Sequence, residues 1–490
     1  MSQSASVPPQ AAGVKTVNSP FWRAGYLSTP SFVKFAQTWR GRAVLFAAFG
    51  LMATAYSPRF GPLWAITAAA VAFAGTHRYW AIMVITAVVA AARLLVGTPQ
   101  VTAASAASAA EGVEGHTTLL LVNGCALLAF FVMAFLAIRW VHRHPASLLA
   151  RRPTLCLVAA IPALALLASS PLLHGLPKVA LWAFTLIFAL YCWYLGYALI
   201  DQKMRSASPM QAQLGVMRPV WSEGPTPIGK GMGYLRKVEA RTPHDLAVTQ
   251  IKGVRLMAWC LTLYVLQAGM THAFHETLAI PHLDDVMTRF NEGLPYPIAL
   301  SWASLVLGYF EAIISLSIFG HSYVAVARMA GFRLLRNTYR PFEATTLAEF
   351  WNRYYYYFKE LLVEFFFMPT FLRYFKTRPK LRVAFATFMA AGVGNWLFHF
   401  IRDIAAVAEV GWRSYLAGFS TYAFYCLVLS AGIAASQLRK RAPREGLLRG
   451  KVIPVFCVGV FFCLLQVFND SAWDRPFAAH FGLFVHLFGI

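Results

Sequence analysis

His399 lies in Asn395-Trp396-Leu397-Phe398-His399, inside the apolar run 383–411, with Arg402 and Asp403 close behind it. An ionisable side chain in a long apolar stretch is costly, and it is kept where it faces a cavity or a partner. Imidazole takes up a proton readily near neutral pH, so His399 is a candidate general base. A histidine hydrogen-bonded to a neighbouring helix for packing alone would leave the same trace. A second feature tips the balance toward chemistry. Upstream, Thr345-Thr346-Leu347-Ala348-Glu349-Phe350-Trp351-Asn352-Arg353-Tyr354-Tyr355 combines aromatic, amide and basic side chains. Asn352 and Tyr355 are one helical turn apart, a spacing that puts an amide and a phenol on one face.

Other clusters carry less. His272-Ala273-Phe274-His275-Glu276, with His282, Asp284 and Asp285 nearby, holds enough donors for a metal. It is not H-E-x-x-H, and a solvated loop at the end of a span is the expected reading, with no metal. Gly229-Lys230-Gly231-Met232-Gly233 lacks the spacing of a phosphate-binding loop. The cysteines Cys125, Cys156, Cys192, Cys260, Cys426, Cys457 and Cys463 all fall in apolar runs and form no C-x-x-C pair, so they read as small buried hydrophobes. Lys359, Glu360 and Glu364 read as helical i, i+4 pairs, and the tyrosines 354–357 mostly as packing or interfacial anchors.

The elements that must position these groups follow from composition. Of 490 residues, 58% are hydrophobic and 13% charged. About a quarter charged is usual for a soluble domain, so the chain reads as an all-α polytopic membrane protein. Its 43 Lys+Arg against 20 Asp+Glu reflect positive-inside loops and not nucleic-acid binding. Apolar runs predict eleven spans, near 43–56, 62–75, 79–96, 118–139, 154–170, 179–200, 256–272, 296–319, 383–400, 413–436 and 453–469.

Residues 1–20 read as disordered and 21–42 as an interfacial segment. No secretory signal pattern is present, so the first span is expected in the mature protein. The remaining divisions are an N-terminal bundle over 43–200, a flexible basic cytoplasmic loop over 201–255, and a core over 256–490. Loops 97–117 and 273–295 are acid-rich. Segment 201–255 carries nine Lys/Arg and 437–451 carries six. This alternation predicts a cytoplasmic N-terminus in the inner membrane. It also requires 320–382 to leave and return on the cytoplasmic side as short or tilted helices.

The stretch Ser322 to Arg333 is followed by Asn337-Thr338-Tyr339-Arg340-Pro341-Phe342, the Phe350-Trp351-x-Arg353 core, and His399 on a later apolar helix. In order and spacing, 320–403 resembles the membrane-bound O-acyltransferase (MBOAT) superfamily. Tyr355 stands where the family pattern has His or Asn, and Lys359 to Glu364 replaces a Ser/Trp/Arg-containing stretch. The resemblance implies transfer of an acyl group from an acyl-CoA or carrier-protein thioester to a hydroxyl acceptor, with no bound cofactor. His399 would be the base, and Tyr355 or Asn352 its polar partner. Trp351, Arg353, Asn337, Arg340 and Asn395 would bind substrates, with Arg333, Arg340 and Arg353 available to donor phosphates. An acyl carrier protein or a biosynthetic enzyme is a potential partner beside the lipid bilayer. The departure at Tyr355 supports an alternative, a non-catalytic relative that binds or conducts a lipid or glycan intermediate. A transporter ranks last.

Overall fold

A bilayer core offers backbone N–H and C=O groups no partners except one another, and this chain satisfies them with helices. The computed structural model describes residues 29–96, 108–113, 115–203, 208–439, 446–472 and 474–490. Among them there is no strand, only an isolated antiparallel bridge between Glu239 and Phe332. Eight helices are long and apolar enough to cross a membrane: Gly75–Leu95, His116–Arg143, Gly175–Gln202, Pro243–Thr277, Ile298–Met329, Pro379–Arg402, Ala406–Leu438 and Leu448–Phe468. The protein is a multi-pass helical membrane protein.

The count of eleven spans is not reached, and the reason is length and charge. The other three expected spans fall on Trp39–Tyr56, Gly61–Phe73 and Pro153–Ser169. The first carries Arg40 and Arg42 in its opening turn. The second has 13 residues, a reach of about 20 Å against a core of about 30 Å. The third has 17 residues, with Pro162 inside it. The expected disorder over 1–20 lies outside the described residues. Over 21–42, Pro30–Gln37 is a helix whose Phe32 and Ala36 are buried.

The segment 201–255 is not a flexible loop. Its described part is packed: Met217, Trp221, Ile228, Met232 and Leu235 are all buried, and from Pro243 the chain is already helical. Glycine explains how so polar a stretch can pack. A Cβ on Gly231 would come within 2.7 Å of Tyr197 Cβ, and one on Gly233 would strike the Asp201 carboxylate. The glycines therefore serve close approach to Gly175–Gln202. The cysteines also divide: Cys192, Cys260, Cys426 and Cys463 are buried, whereas Cys125 and Cys457 are exposed on the outer faces of apolar helices.

Three hydrophobic cores organise the bundle. The block 347–373 keys into all three: Phe350 into one, Tyr357 into another and Phe358 into the third. Of the expected 320–382 block of short or tilted helices, 320–329 instead continues the long Ile298–Met329 helix, whereas 347–373 is a run of short ones: Leu347–Tyr354, Tyr356–Leu362, the π-helical Val363–Phe367, and Met368–Arg373. Thr346 starts it, its hydroxyl accepting from Glu349 N at 3.1 Å.

Candidate active site

His399 rides on Asn395–Arg402, which continues directly from the π-helical segment Phe388–Gly394. A π turn widens a helix and resets which side chains face inward, and it recurs at functional sites. Here it packs against another π segment, Val363–Phe367. Gly394 allows that contact, because a Cβ there would lie 2.6 Å from the Phe366 ring.

The His399 ring is walled by aromatics. Tyr422 lies 4.6 Å away centroid to centroid, and Phe358 meets the imidazole edge-on at 5.9 Å. Phe398, the adjacent residue, stacks on Trp193 of Gly175–Gln202. The Tyr422 hydroxyl donates to Asn395 Oδ1 at 3.1 Å, so Asn395, one turn before His399, is held from the neighbouring Ala406–Leu438 helix. His399 Nδ1 is buried and has no hydrogen-bond partner among the described residues. A buried ring nitrogen without a partner is costly in a purely structural histidine. It is what a proton acceptor awaiting a substrate hydroxyl requires. At the end of the same helix, Arg402 forms a bidentate pair with Asp403, both contacts at 2.6 Å. Its guanidinium is within electrostatic reach of both His399 and the Tyr355 hydroxyl.

Tyr355 approaches this group through Phe358, whose ring is 5.4 Å from Tyr355 and 5.9 Å from His399. The expected shared face with Asn352 is absent. Tyr355 is the non-helical corner (φ −137°, ψ 82°) between Leu347–Tyr354 and Tyr356–Leu362, so the helical spacing breaks there. Tyr355 packs inward against the core that holds Phe398, while Asn352 is exposed. Asn352, Trp351 and Lys359 line a cavity of about 170 Å³ closed by Ala390, Ala391 and Gln437. Neither His399 nor Tyr355 lines it. His399 lies eight residues beyond Ala391, about 12 Å along a helix axis.

The remaining predicted binding residues are placed as follows. Asn337 is fully buried; its Oδ1 accepts from Tyr357 N at 3.2 Å and its backbone carbonyl from Tyr356 N at 2.8 Å. It thus fastens the start of Tyr356–Leu362. Arg353 pairs with Glu349 at 2.6 Å and donates to the Arg340 carbonyl at 3.1 Å. Arg340 in turn donates to Glu343 at 3.3 Å. Both guanidinium groups are therefore engaged within one surface network.

Sequence reasoning missed Lys230. Its ammonium meets Glu360 at 2.6 Å and Glu364 at 3.5 Å, and Lys359 also bonds Glu360. The i, i+4 pairs expected among Lys359, Glu360 and Glu364 are replaced by this cluster with Lys230, which is distant in sequence. Lys230 is in the left-handed region (φ 57°) next to Gly229 (φ 92°), a turn that aims its side chain inward. The glycine run was the available signal. Tyr422 was likewise unnamed, although it sits one turn after Gly418 in an apolar helix. No family model matches the chain, and no curated protein sequence matches it.

Proposed function

We propose that the protein is a membrane-bound O-acyltransferase in which His399 is the general base. The observation that carries this reading is the buried, unpartnered His399 Nδ1 inside an apolar span. The ordered signature-like residues of 320–403 support it. His399 takes the proton of an acceptor hydroxyl as that oxygen attacks the thioester carbonyl carbon. The tetrahedral intermediate then collapses, the C–S bond breaks, and the thiolate leaves with the proton returned by the imidazolium. Tyr355 supplies a hydroxyl toward the developing oxyanion, and Asn395 and Tyr422 position the imidazole. The donor is an acyl-CoA or an acyl-carrier thioester arriving from the cytoplasm. The N-terminus and 208–255 face the cytoplasm of an inner membrane, and 273–295 faces the opposite side.

A second reading, a non-catalytic relative that holds a lipid or glycan intermediate, is favoured by one observation. Asn352 lines the cavity of about 170 Å³, and His399 does not. One experiment separates the two. Purified, reconstituted protein is incubated with labelled acyl-CoA donors and hydroxyl acceptors, alongside His399→Gln, which keeps volume and polarity. The expected result is transfer by the wild type and a loss of about 10²–10⁴-fold in the variant. Full activity of the variant overturns the site, and a wild type inert across donors and acceptors leaves the binding reading.

A further inference from the structure

Glu311 is the sole carboxylate in the Ile298–Met329 span. A carboxylate well inside a membrane helix is expensive unless something compensates its charge. What it faces is His275, whose Nε2 lies 2.9 Å from Glu311 Oε1. The other ring nitrogen of His275 lies 2.6 Å from the Ile280 carbonyl oxygen. A carbonyl only accepts, so Nδ1 must carry a hydrogen. In a neutral imidazole the Nε2 lone pair would then face a carboxylate oxygen, acceptor against acceptor. The contact therefore holds a positive charge, either a proton on His275 or a metal ion beside it.

A third donor is at hand. The His282 ring stacks on His275, centroids 3.7 Å apart and planes inclined by 24°. One ligand atom from each of His275, His282 and Glu311 falls within 4.8 Å of the others. Three separate elements deliver them: the π-helical Thr271–Thr277, the residue ahead of Leu283–Asn291, and the middle of Ile298–Met329. The turn joining the histidines is already fixed, since Ile280 N donates to the Phe274 carbonyl at 3.0 Å and Ser304 Oγ to the Pro281 carbonyl at 2.5 Å.

We infer that His275, His282 and Glu311 form a binding site for a divalent transition metal, with zinc the best match. Two imidazoles and one carboxylate are a zinc donor set, and three protein ligands leave a fourth position open. Bonds of about 2.0–2.2 Å place tetrahedral ligands about 3.4 Å apart. The His275–Glu311 edge is close to that, and the exposed His282 ring must turn out of its stack on His275 to take the third corner. The His275 Nδ1–H held by the Ile280 carbonyl is the outer-shell bond that fixes the tautomer of a zinc-ligating histidine. Bound metal cross-links the 278–282 turn to two spans, and it does so independently of the acyl-transfer reading.

The test uses full-length protein without a polyhistidine tag, stripped with chelator and titrated with zinc. Isothermal titration and metal analysis give stoichiometry and affinity, and cobalt substitution reports the ligand field. The expected result is one zinc per chain, a tetrahedral cobalt spectrum, and at least about 10-fold weaker binding in His282→Ala and Glu311→Gln. His282 is exposed, so its variant folds even if Glu311→Gln does not. His272→Ala, altering the neighbouring exposed His272–Glu276 pair, keeps wild-type affinity. Absence of stoichiometric zinc in folded wild type, or wild-type affinity in His282→Ala, overturns the site and leaves a proton as the cation between His275 and Glu311.

Discussion

The Tyr422 ring packs 4.6 Å from the imidazole of His399, and the same residue reaches back with its hydroxyl to Asn395 Oδ1 at 3.1 Å. One phenol from a neighbouring helix thus fixes both the base and the turn that carries it. Tyr422→Phe keeps the ring and strands a buried amide oxygen, at a cost of about 1–3 kcal/mol. Denaturant unfolding in detergent should read that loss. The double variant Tyr422→Phe/Asn395→Leu should recover part of it, since both polar partners are then gone.

Asn337 is the next discriminating position. If it fastens the start of Tyr356–Leu362, Asn337→Ala costs about 1–3 kcal/mol by orphaning the Tyr357 N–H. Thermal unfolding should shift accordingly. Donor KM should stay near the wild-type value, whereas a substrate ligand at Asn337 would raise it.

Gly394→Ala tests how the His399 helix is placed. The added methyl would sit 2.6 Å from the Phe366 ring, so the two π segments must separate by a few tenths of an ångström or more. Misplacing a catalytic group by about 1 Å can cost about 10²-fold. The expected outcome is a drop in kcat of up to that size with His399 untouched, measured on protein that still elutes as the wild type does.

Glu360 sets an acid limit on stability. Burial pushes its carboxyl up, but the ammonium groups of Lys359 and Lys230 outweigh burial and hold it below the ordinary glutamate value. A carboxyl lowered in the folded state stabilises the fold fully above its unfolded pKa, and the contribution fades as pH falls through the folded value. Unfolding measured from pH 6 down to about 3 should therefore show a steeper loss in the wild type than in Glu360→Gln. At pH 7 the variant should be the less stable, because Lys230 loses its nearest carboxylate.

Topology is tested by single cysteines in a cysteine-free background. Positions in 208–240 should resist an impermeant thiol reagent added to intact cells, and positions in 283–291 should react. Labelling of 208–240 from outside would reverse the orientation.

Local properties were legible in the sequence because they are carried by neighbours along the chain. Eight helices long enough to span follow from runs of apolar residues. The isolation of His399 in such a run marked it without any structure. The short helices of 347–373 follow from a polar and aromatic stretch too mixed for a lipid-facing span. The failures share one physical cause, which is that hydropathy and spacing say nothing about which distant segments touch. Asn352 and Tyr355 looked like one face until the corner at Tyr355 separated them. Lys230 looked like solvated loop because its flanks are glycine. Gly231 and Gly233 instead let the backbone lie against Gly175–Gln202, and the ammonium meets Glu360, 130 residues further on, in a half-buried pair. His275 read as part of a solvated loop, and nothing in the 296–319 apolar run set Glu311 against it. Only packing of their helices, which depends on side-chain shape summed over the bundle, set them 2.9 Å apart.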